Sequence, residues 1–94
     1  MAAELEPVNP KDIIGRKKAP LHLVPGVAIA YMAQALRNGA TKYGQANWRE
    51  KPVLAQEYIA AALRHLYSWL DGEEVASDSD VHHLAHALAT IGIV

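Results

Sequence analysis

The chain has 94 residues, 51% hydrophobic and 20% charged, a composition that is ordinary for one small globular domain. Its formal net charge of −1 argues against a nucleic-acid polymer as the partner, because binding a phosphate backbone requires a basic surface. The absence of cysteine excludes disulfides and thiolate zinc sites, and no apolar run is long enough to span a membrane, so we expect a cytoplasmic protein.

Residues 1–24 differ in composition from the remainder of the chain. They contain three of the five prolines, Pro7, Pro10 and Pro20, and a short basic run at 15–18. Proline lacks a backbone N–H group and biases the preceding residue away from helix. We therefore predict an extended N-terminal arm over 1–24 and a single helical domain over 25–94.

Apolar residues recur at helical spacing in three segments of that domain. The first helix is predicted from about Pro25 to Asn38, and the second over 54–71. The third is predicted to start near Ser79 and Asp80, one of which would cap it, and to bury the stripe formed by Val81, Leu84, Leu88 and Ile91. The predicted fold class is all-α, a small bundle of about three main helices. Its apolar surplus predicts completion of the core in a homodimer or homotetramer.

Four of the five histidines lie in the second and third helices, and the loop between these helices is rich in carboxylates. An antiparallel hairpin would place His65 roughly level with His86. Either His83 and His86 or His82 and His86 could bind one ion, because histidines three or four apart share a helix face. Asp78 could add an oxygen ligand, which favours Mg²⁺ or Mn²⁺. The alternatives are that Asp78 only caps a helix and that the histidines are structural.

The connection 39–53 contains cations and aromatic residues that suit a nucleotide. Lys42 could contact phosphates, Asn47 could read a base edge and Trp48 could stack on a base. Arg64, in the second helix, could donate two hydrogen bonds to phosphate oxygens. The alternatives are that Trp48 only covers the core and that Arg64 pairs with an acidic residue of its own helix, Glu57 or Asp71.

Several short segments, taken in their order and spacing, resemble a family of phage and bacterial dATP/dGTP diphosphohydrolase domains that includes the MazZ enzymes. The segments are Gly39-Ala40-Thr41-Lys42-Tyr43-Gly44, Asn47-Trp48, Ala61-Ala62-Leu63-Arg64-His65-Leu66, Asp71-Gly72-Glu73 and His83-Leu84-Ala85-His86-Ala87. The resemblance covers roughly residues 9–94. That family is similar to the MazG-type all-α pyrophosphohydrolases, which cleave nucleoside triphosphates between the α- and β-phosphates with a divalent metal.

The resemblance implies conversion of a purine triphosphate, dGTP above all, to the monophosphate and pyrophosphate. The two MazG metal-binding motifs would fall on 61–65 and 83–86, where His65, His83 and His86 are the only possible ligands. The carboxylates would then come from elsewhere, and the candidates are Glu57, Asp71, Glu73 and Asp78. The location implied for a phage-encoded member is the host cytoplasm.

We therefore expect a metal-dependent nucleotide pyrophosphohydrolase with three groups of site residues. The catalytic candidates are Glu57 and His65. The metal-ligand candidates are His65, Asp78, His83 and His86. The substrate-binding candidates are Lys42, Asn47, Trp48 and Arg64. Two alternatives stay open: a non-catalytic helical module that binds a nucleotide or a partner, and a histidine/aspartate phosphohydrolase that releases triphosphate or inorganic phosphate.

Overall fold

The computed structural model describes residues 8–94, so the part of the predicted arm over 1–7 lies outside the described residues. The helices are α1 (Pro10–Gly15), α2 (Gly26–Tyr43), α3 (Asn47–Glu50), α4 (Ala55–Leu70) and α5 (His83–Ile93), with a 3-10 turn at Leu21–Leu23. Within the described range no strand forms, and a single antiparallel bridge joins Val75 to His82. The predicted all-α small bundle is confirmed.

Helix α5 is central, because it packs against both α4 and α2. Alanines fill these contacts: Ala35 of α2 meets Ala85 and Ala89 of α5, and Met32 and Leu36 border them. Every buried hydrophobic residue of the described chain is an alanine: Ala35, Ala62, Ala76, Ala85, Ala87 and Ala89. Such short side chains allow the helix axes to approach closely.

Two predicted helix boundaries were wrong. Helix α2 continues through the predicted stop at Asn38 and ends only at Gly44, whose φ of 94° is a left-handed conformation that glycine adopts without strain. Helix α5 begins at His83 rather than near Ser79. Asp80 lies outside it, because its φ of 60° is a left-handed backbone conformation that a right-handed α-helix does not contain. The cap is His82, whose Nδ1 accepts the N–H of Leu84 at 3.0 Å. Helix α4 agrees closely with its prediction.

The arm has more regular structure than expected, since α1 and the 3-10 turn both lie within 1–24. Asn9 caps α1, with its side-chain oxygen accepting the N–H of Lys11 at 2.9 Å. Pro10 occupies the first turn, where a helix tolerates the missing N–H group. The prediction weighted proline as a helix breaker and overlooked this cap.

The predicted core stripe was wrong for the three large apolar side chains of α5 itself, whereas Val81, which precedes the helix, packs against the alanine core as predicted. Leu84, Leu88 and Ile91 are 37%, 39% and 51% exposed, whereas His83 and the alanines of α5 are buried. The radius of gyration is 18.4 Å, compared with about 12 Å for a compact domain of this length. None of the helices between residues 8 and 94 is both long enough and apolar enough to cross a membrane. The described chain therefore buries little of its own apolar surface.

Candidate active site

An open cleft of about 480 Å³ is lined by the C-terminal half of α2, residues 57–65 of α4, the start of α3 and one side of α5. Eight of the predicted site residues line it: Lys42, Asn47, Trp48, Glu57, Arg64, His65, Asp78 and His86. His83 does not line the cleft, and it is the single buried polar residue of the described chain. The structure therefore brings together residues that lie far apart in the sequence, and their individual roles stay predictions.

The loop between α4 and α5 has a defined geometry that begins at Gly72. Gly72 has a φ of 100°, its N–H bonds to the carbonyl of Trp69, and the N–H of Glu73 bonds to the carbonyl of Ser68, each at 3.0 Å. This is the Schellman pattern, in which a left-handed glycine ends a helix. The N–H of His83 then bonds to the carbonyl of Glu74 at 2.9 Å, which closes the loop beside α5.

Three histidines form a cluster where α4 faces α5. The Nδ1 atoms of His65 and His83 lie 2.8 Å apart, and His83 Nε2 lies 2.7 Å from Glu73 Oε1. The rings of His65 and His86 stack, with their centroids 4.5 Å apart and their planes 14° from parallel. His86 Nε2 lies 2.7 Å from the hydroxyl of Ser79. The hairpin prediction, which put His65 level with His86, is confirmed.

Burial makes protonation of two of these rings less favourable. It lowers the pKa of His65 below the ordinary 6.5, and the neighbouring His86 and His83 lower it further, while Asp78 acts in the opposite direction. Burial likewise lowers the pKa of His86, again against the effect of Asp78. Near neutral pH these two imidazoles are therefore uncharged and can accept a proton.

The cationic and aromatic side chains lie on the exposed rim. Lys42 Nζ donates to Asp78 Oδ2 at 3.3 Å, and this hydrogen bond is the main reason that the pKa of Asp78 is below its usual value. The guanidinium of Arg49 lies 4.6 Å from the centre of the Trp48 ring. Among the described residues, no ion pair joins Arg64 to Glu57 of the same helix or to Asp71, which follows the helix.

The predicted metal ligands do not surround a common point. Between residues 8 and 94, no three His, Asp or Glu side chains are arranged to hold one ion. The hydrogen bonds explain this result, because each of the three histidines directs a ring nitrogen at another protein atom: His65 at His83, His83 also at Glu73, and His86 at Ser79. As they stand, the side chains do not fit a resident metal ion, and their role as ligands stays a prediction.

Sequence reasoning missed two features of the site. Ser79 was interpreted as a helix cap, yet its hydroxyl contacts His86. Tyr58 lines the cleft and had been assigned no role. Tyr58 and His65 are seven residues apart on α4, which places them on one helix face, so the spacing could have identified Tyr58.

Comparison with known proteins identifies the family. Residues 8–94 match the family described as "dATP/dGTP diphosphohydrolase, N-terminal". A Salmonella phage PMBT28 protein named "dATP/dGTP diphosphohydrolase" is 31% identical over 70 residues, which are 74% of this chain. The chain spans only 23% of that relative's length. No solved structure matches the chain. Since the family match extends over nearly the whole sequence, the chain belongs to the N-terminal dATP/dGTP diphosphohydrolase family.

Proposed function

We propose that this chain hydrolyses a purine deoxynucleoside triphosphate, with dGTP preferred, to the monophosphate and pyrophosphate. The observation that carries the proposal is the cleft, in which two cations, Lys42 and Arg64, lie with the uncharged imidazole of His65. The printed name of the phage relative supports the substrate class and the reaction.

In this reaction water attacks the α-phosphorus. His65 accepts the water proton, the new oxygen–phosphorus bond forms, and the bond from the α-phosphorus to the bridging oxygen breaks, so that pyrophosphate leaves with the electron pair. Lys42 and Arg64 contact the phosphate oxygens and offset their charge. Asn47 contacts the base edge and Trp48 stacks on the base.

Divalent metal is proposed to enter with the substrate, as the Mg²⁺ or Mn²⁺ complex of the triphosphate. Two observations support this route: the described side chains do not fit a resident ion, and the cleft is open. Mg²⁺ is commonly bound through substrate phosphates rather than in an all-protein cage. Glu57 also lines the cleft and is exposed, and its role as a second base stays a prediction.

Self-association is part of the proposal. The apolar side chains Ile59, Leu63 and Leu70 of α4 and Leu88 of α5 are exposed, while the buried core consists of alanines. A homodimer or homotetramer would cover these side chains and supply the burial that the described chain lacks. The cytoplasm, or the host cytoplasm for a phage-encoded chain, is the proposed location.

The test is product analysis with purified protein. Each common nucleoside triphosphate is incubated with Mg²⁺ or Mn²⁺, and the products are separated by chromatography and assayed for pyrophosphate. We expect dGMP and pyrophosphate from dGTP, little activity in His65→Gln and unchanged activity in His22→Gln, since His22 lies outside the cleft on the 3-10 turn. No pyrophosphate from any nucleotide with either metal would refute the proposal, and release of triphosphate would favour a histidine/aspartate phosphohydrolase.

A second candidate is a nucleotide-binding module without catalysis of its own. The observation that favours it is that the chain corresponds to 23% of the phage relative, so the chemistry of that protein could depend on its other segments. Thermal melting distinguishes the two candidates. A ligand that binds the folded state raises the melting temperature. A shift with dGTP in the absence of any product would support the module.

A further inference from the structure

Glu73, His83 and His65 form a continuous chain of side-chain hydrogen bonds that runs from the loop, through a buried ring, to the cleft. Glu73 Oε1 lies 2.7 Å from His83 Nε2, and His83 Nδ1 lies 2.8 Å from His65 Nδ1. His83 is 5% exposed and does not line the cleft, whereas His65 does. The buried ring therefore connects a loop carboxylate with an imidazole that can meet a substrate.

The chemistry of the donors and acceptors fixes the protons along this chain. An ionised carboxylate can only accept, so His83 Nε2 must carry the hydrogen that it shares with Glu73. When the His83 ring is neutral, its Nδ1 has the lone pair and accepts from His65 Nδ1. A neutral His65 then has its lone pair on Nε2, the nitrogen that does not contact His83.

We propose that Glu73 and His83 are positioning residues that hold His65 in the tautomer with an unprotonated Nε2, the atom that accepts the proton of the attacking water. Only the last step, in which Nε2 accepts the proton of the attacking water, rests on the proposed function. The wrong tautomer would present an N–H donor to the water and could not act as a base. His86, stacked on His65, restricts the tilt of the same ring.

The backbone around the loop makes this arrangement specific. The Schellman motif at Gly72 fixes where Glu73 leaves α4, and the hydrogen bond from the His83 N–H to the Glu74 carbonyl fixes where α5 begins. The bridge between Val75 and His82 holds the two sides of the loop together. Glu73 and His83 therefore meet because the backbone brings them together, although the Glu73 side chain itself is 56% exposed.

The decisive measurement is the tautomer of His65, read from the ¹⁵N shifts of the two ring nitrogens in histidine-labelled protein without nucleotide. The spectra are recorded at about pH 8, above the ordinary imidazole range. We expect His65 to be protonated at Nδ1 in the wild-type chain and to become a mixture of tautomers in Glu73→Ala. Glu74→Ala is the matched control, because it removes a neighbouring loop carboxylate and keeps the carbonyl that binds His83. Protonation of His65 at Nε2 in the wild type, or an unchanged His65 tautomer in Glu73→Ala, would overturn the proposal.

Kinetics separate a positioning role from a merely structural one. We expect Glu73→Ala to lower kcat by about 10- to 100-fold with little change in KM, a loss of the size seen when residues that orient a functional histidine are removed. Glu73→Gln should recover part of the activity, because its amide oxygen can still accept from His83 Nε2. A rise in KM with kcat unchanged, or equal losses in Glu73→Ala and Glu74→Ala, would contradict the proposal.

The two readouts also separate this proposal from the proposed function. The tautomer is measured without turnover. If His65 has the expected tautomer but no nucleotide yields pyrophosphate, the hydrogen-bonded chain stands and the proposed hydrolysis fails. If pyrophosphate is released but His65 carries its proton on Nε2, the hydrolysis stands and the role assigned to Glu73 and His83 fails.

Discussion

Replacement of Ala62 by leucine tests whether the close approach of α4 and α5 maintains the histidine cluster. Ala62 is 2% exposed and is the buried residue of α4, the helix that packs against α5. Helix axes lie about 8–10 Å apart depending on the side chains between them, so a leucine in place of this alanine should separate the helices by up to ~2 Å. Even a separation of about 1 Å would stretch the 2.8 Å contact between His65 and His83 to roughly 3.8 Å, beyond hydrogen-bonding range.

The same substitution should lower the free energy of unfolding by about 1–3 kcal/mol, the usual cost of forcing extra methylene groups into a packed site. A chain of this size is stable by only about 5–14 kcal/mol, so the loss is a substantial fraction. The urea midpoint should fall by about 1–2 M. Ala33→Leu is the matched control, because Ala33 lies within α2 and is exposed.

Urea unfolding followed by circular dichroism measures the loss of stability, and the ¹⁵N shifts of His65 and His83 measure the loss of the contact between these two rings. We expect Ala62→Leu to change both and Ala33→Leu to change neither. An Ala62→Leu chain with the midpoint and imidazole shifts of the wild type would refute the reasoning, since α4 and α5 would then not meet through this alanine.

Three further outcomes are expected. Leu88→Glu should weaken self-association by at least about 100-fold in sedimentation equilibrium, because burying an unpaired carboxylate in an interface is costly. Gln34→Glu, at an exposed position of α2, should leave self-association unchanged. Equal association of the two variants would exclude Leu88 from the interface. If an aromatic ring stacks on the base, Trp48→Ala should raise the Kd for dGTP, measured by calorimetry, by about 5- to 150-fold, and Trp48→Phe should raise it by much less. Equal losses of affinity in the two variants would contradict stacking. The free energy of unfolding should fall as the pH drops below 6.5, since the lowered pKa of His65 makes the unfolded chain bind more protons than the folded chain in that range. In urea titrations, the free energy of unfolding of His65→Gln should fall less steeply with pH than that of the wild type. An identical fall in the two proteins would assign the effect to other groups.

The sequence predicts the helical hairpin well because its signals are local. Apolar spacing identifies α4 almost to the residue, and its predicted end at residue 71 directly precedes Gly72, whose left-handed conformation ends the helix. Once the two helices are antiparallel, the approach of His65 to His86 follows from their distances to the loop. Local pattern and hairpin geometry are therefore enough for this part of the site.

Other features depend on tertiary contacts that no local pattern encodes. The stripe of Leu84, Leu88 and Ile91 looks like a core face by hydropathy, but the alanines of α5 are buried instead, because they allow closer contact with α2 and α4. The histidines resemble a metal site by spacing. In the structure, their ring nitrogens are directed at one another and at Glu73 and Ser79. Which atom a side chain contacts is decided by packing rather than by residue type.

The ion pair between Lys42 and Asp78 means that a carboxylate of the chain competes with the substrate phosphates for the ammonium group of Lys42. The two residues are 36 positions apart and connect the end of α2 to the loop before α5, with both side chains exposed to solvent. A triphosphate entering the cleft has to draw the ammonium group away from this carboxylate or share it. Salt would weaken the internal pair and the contact with phosphate together, since both are screened over a Debye length of about 8–10 Å. Nucleotide affinity should accordingly vary less steeply with ionic strength than it would if Lys42 stood alone.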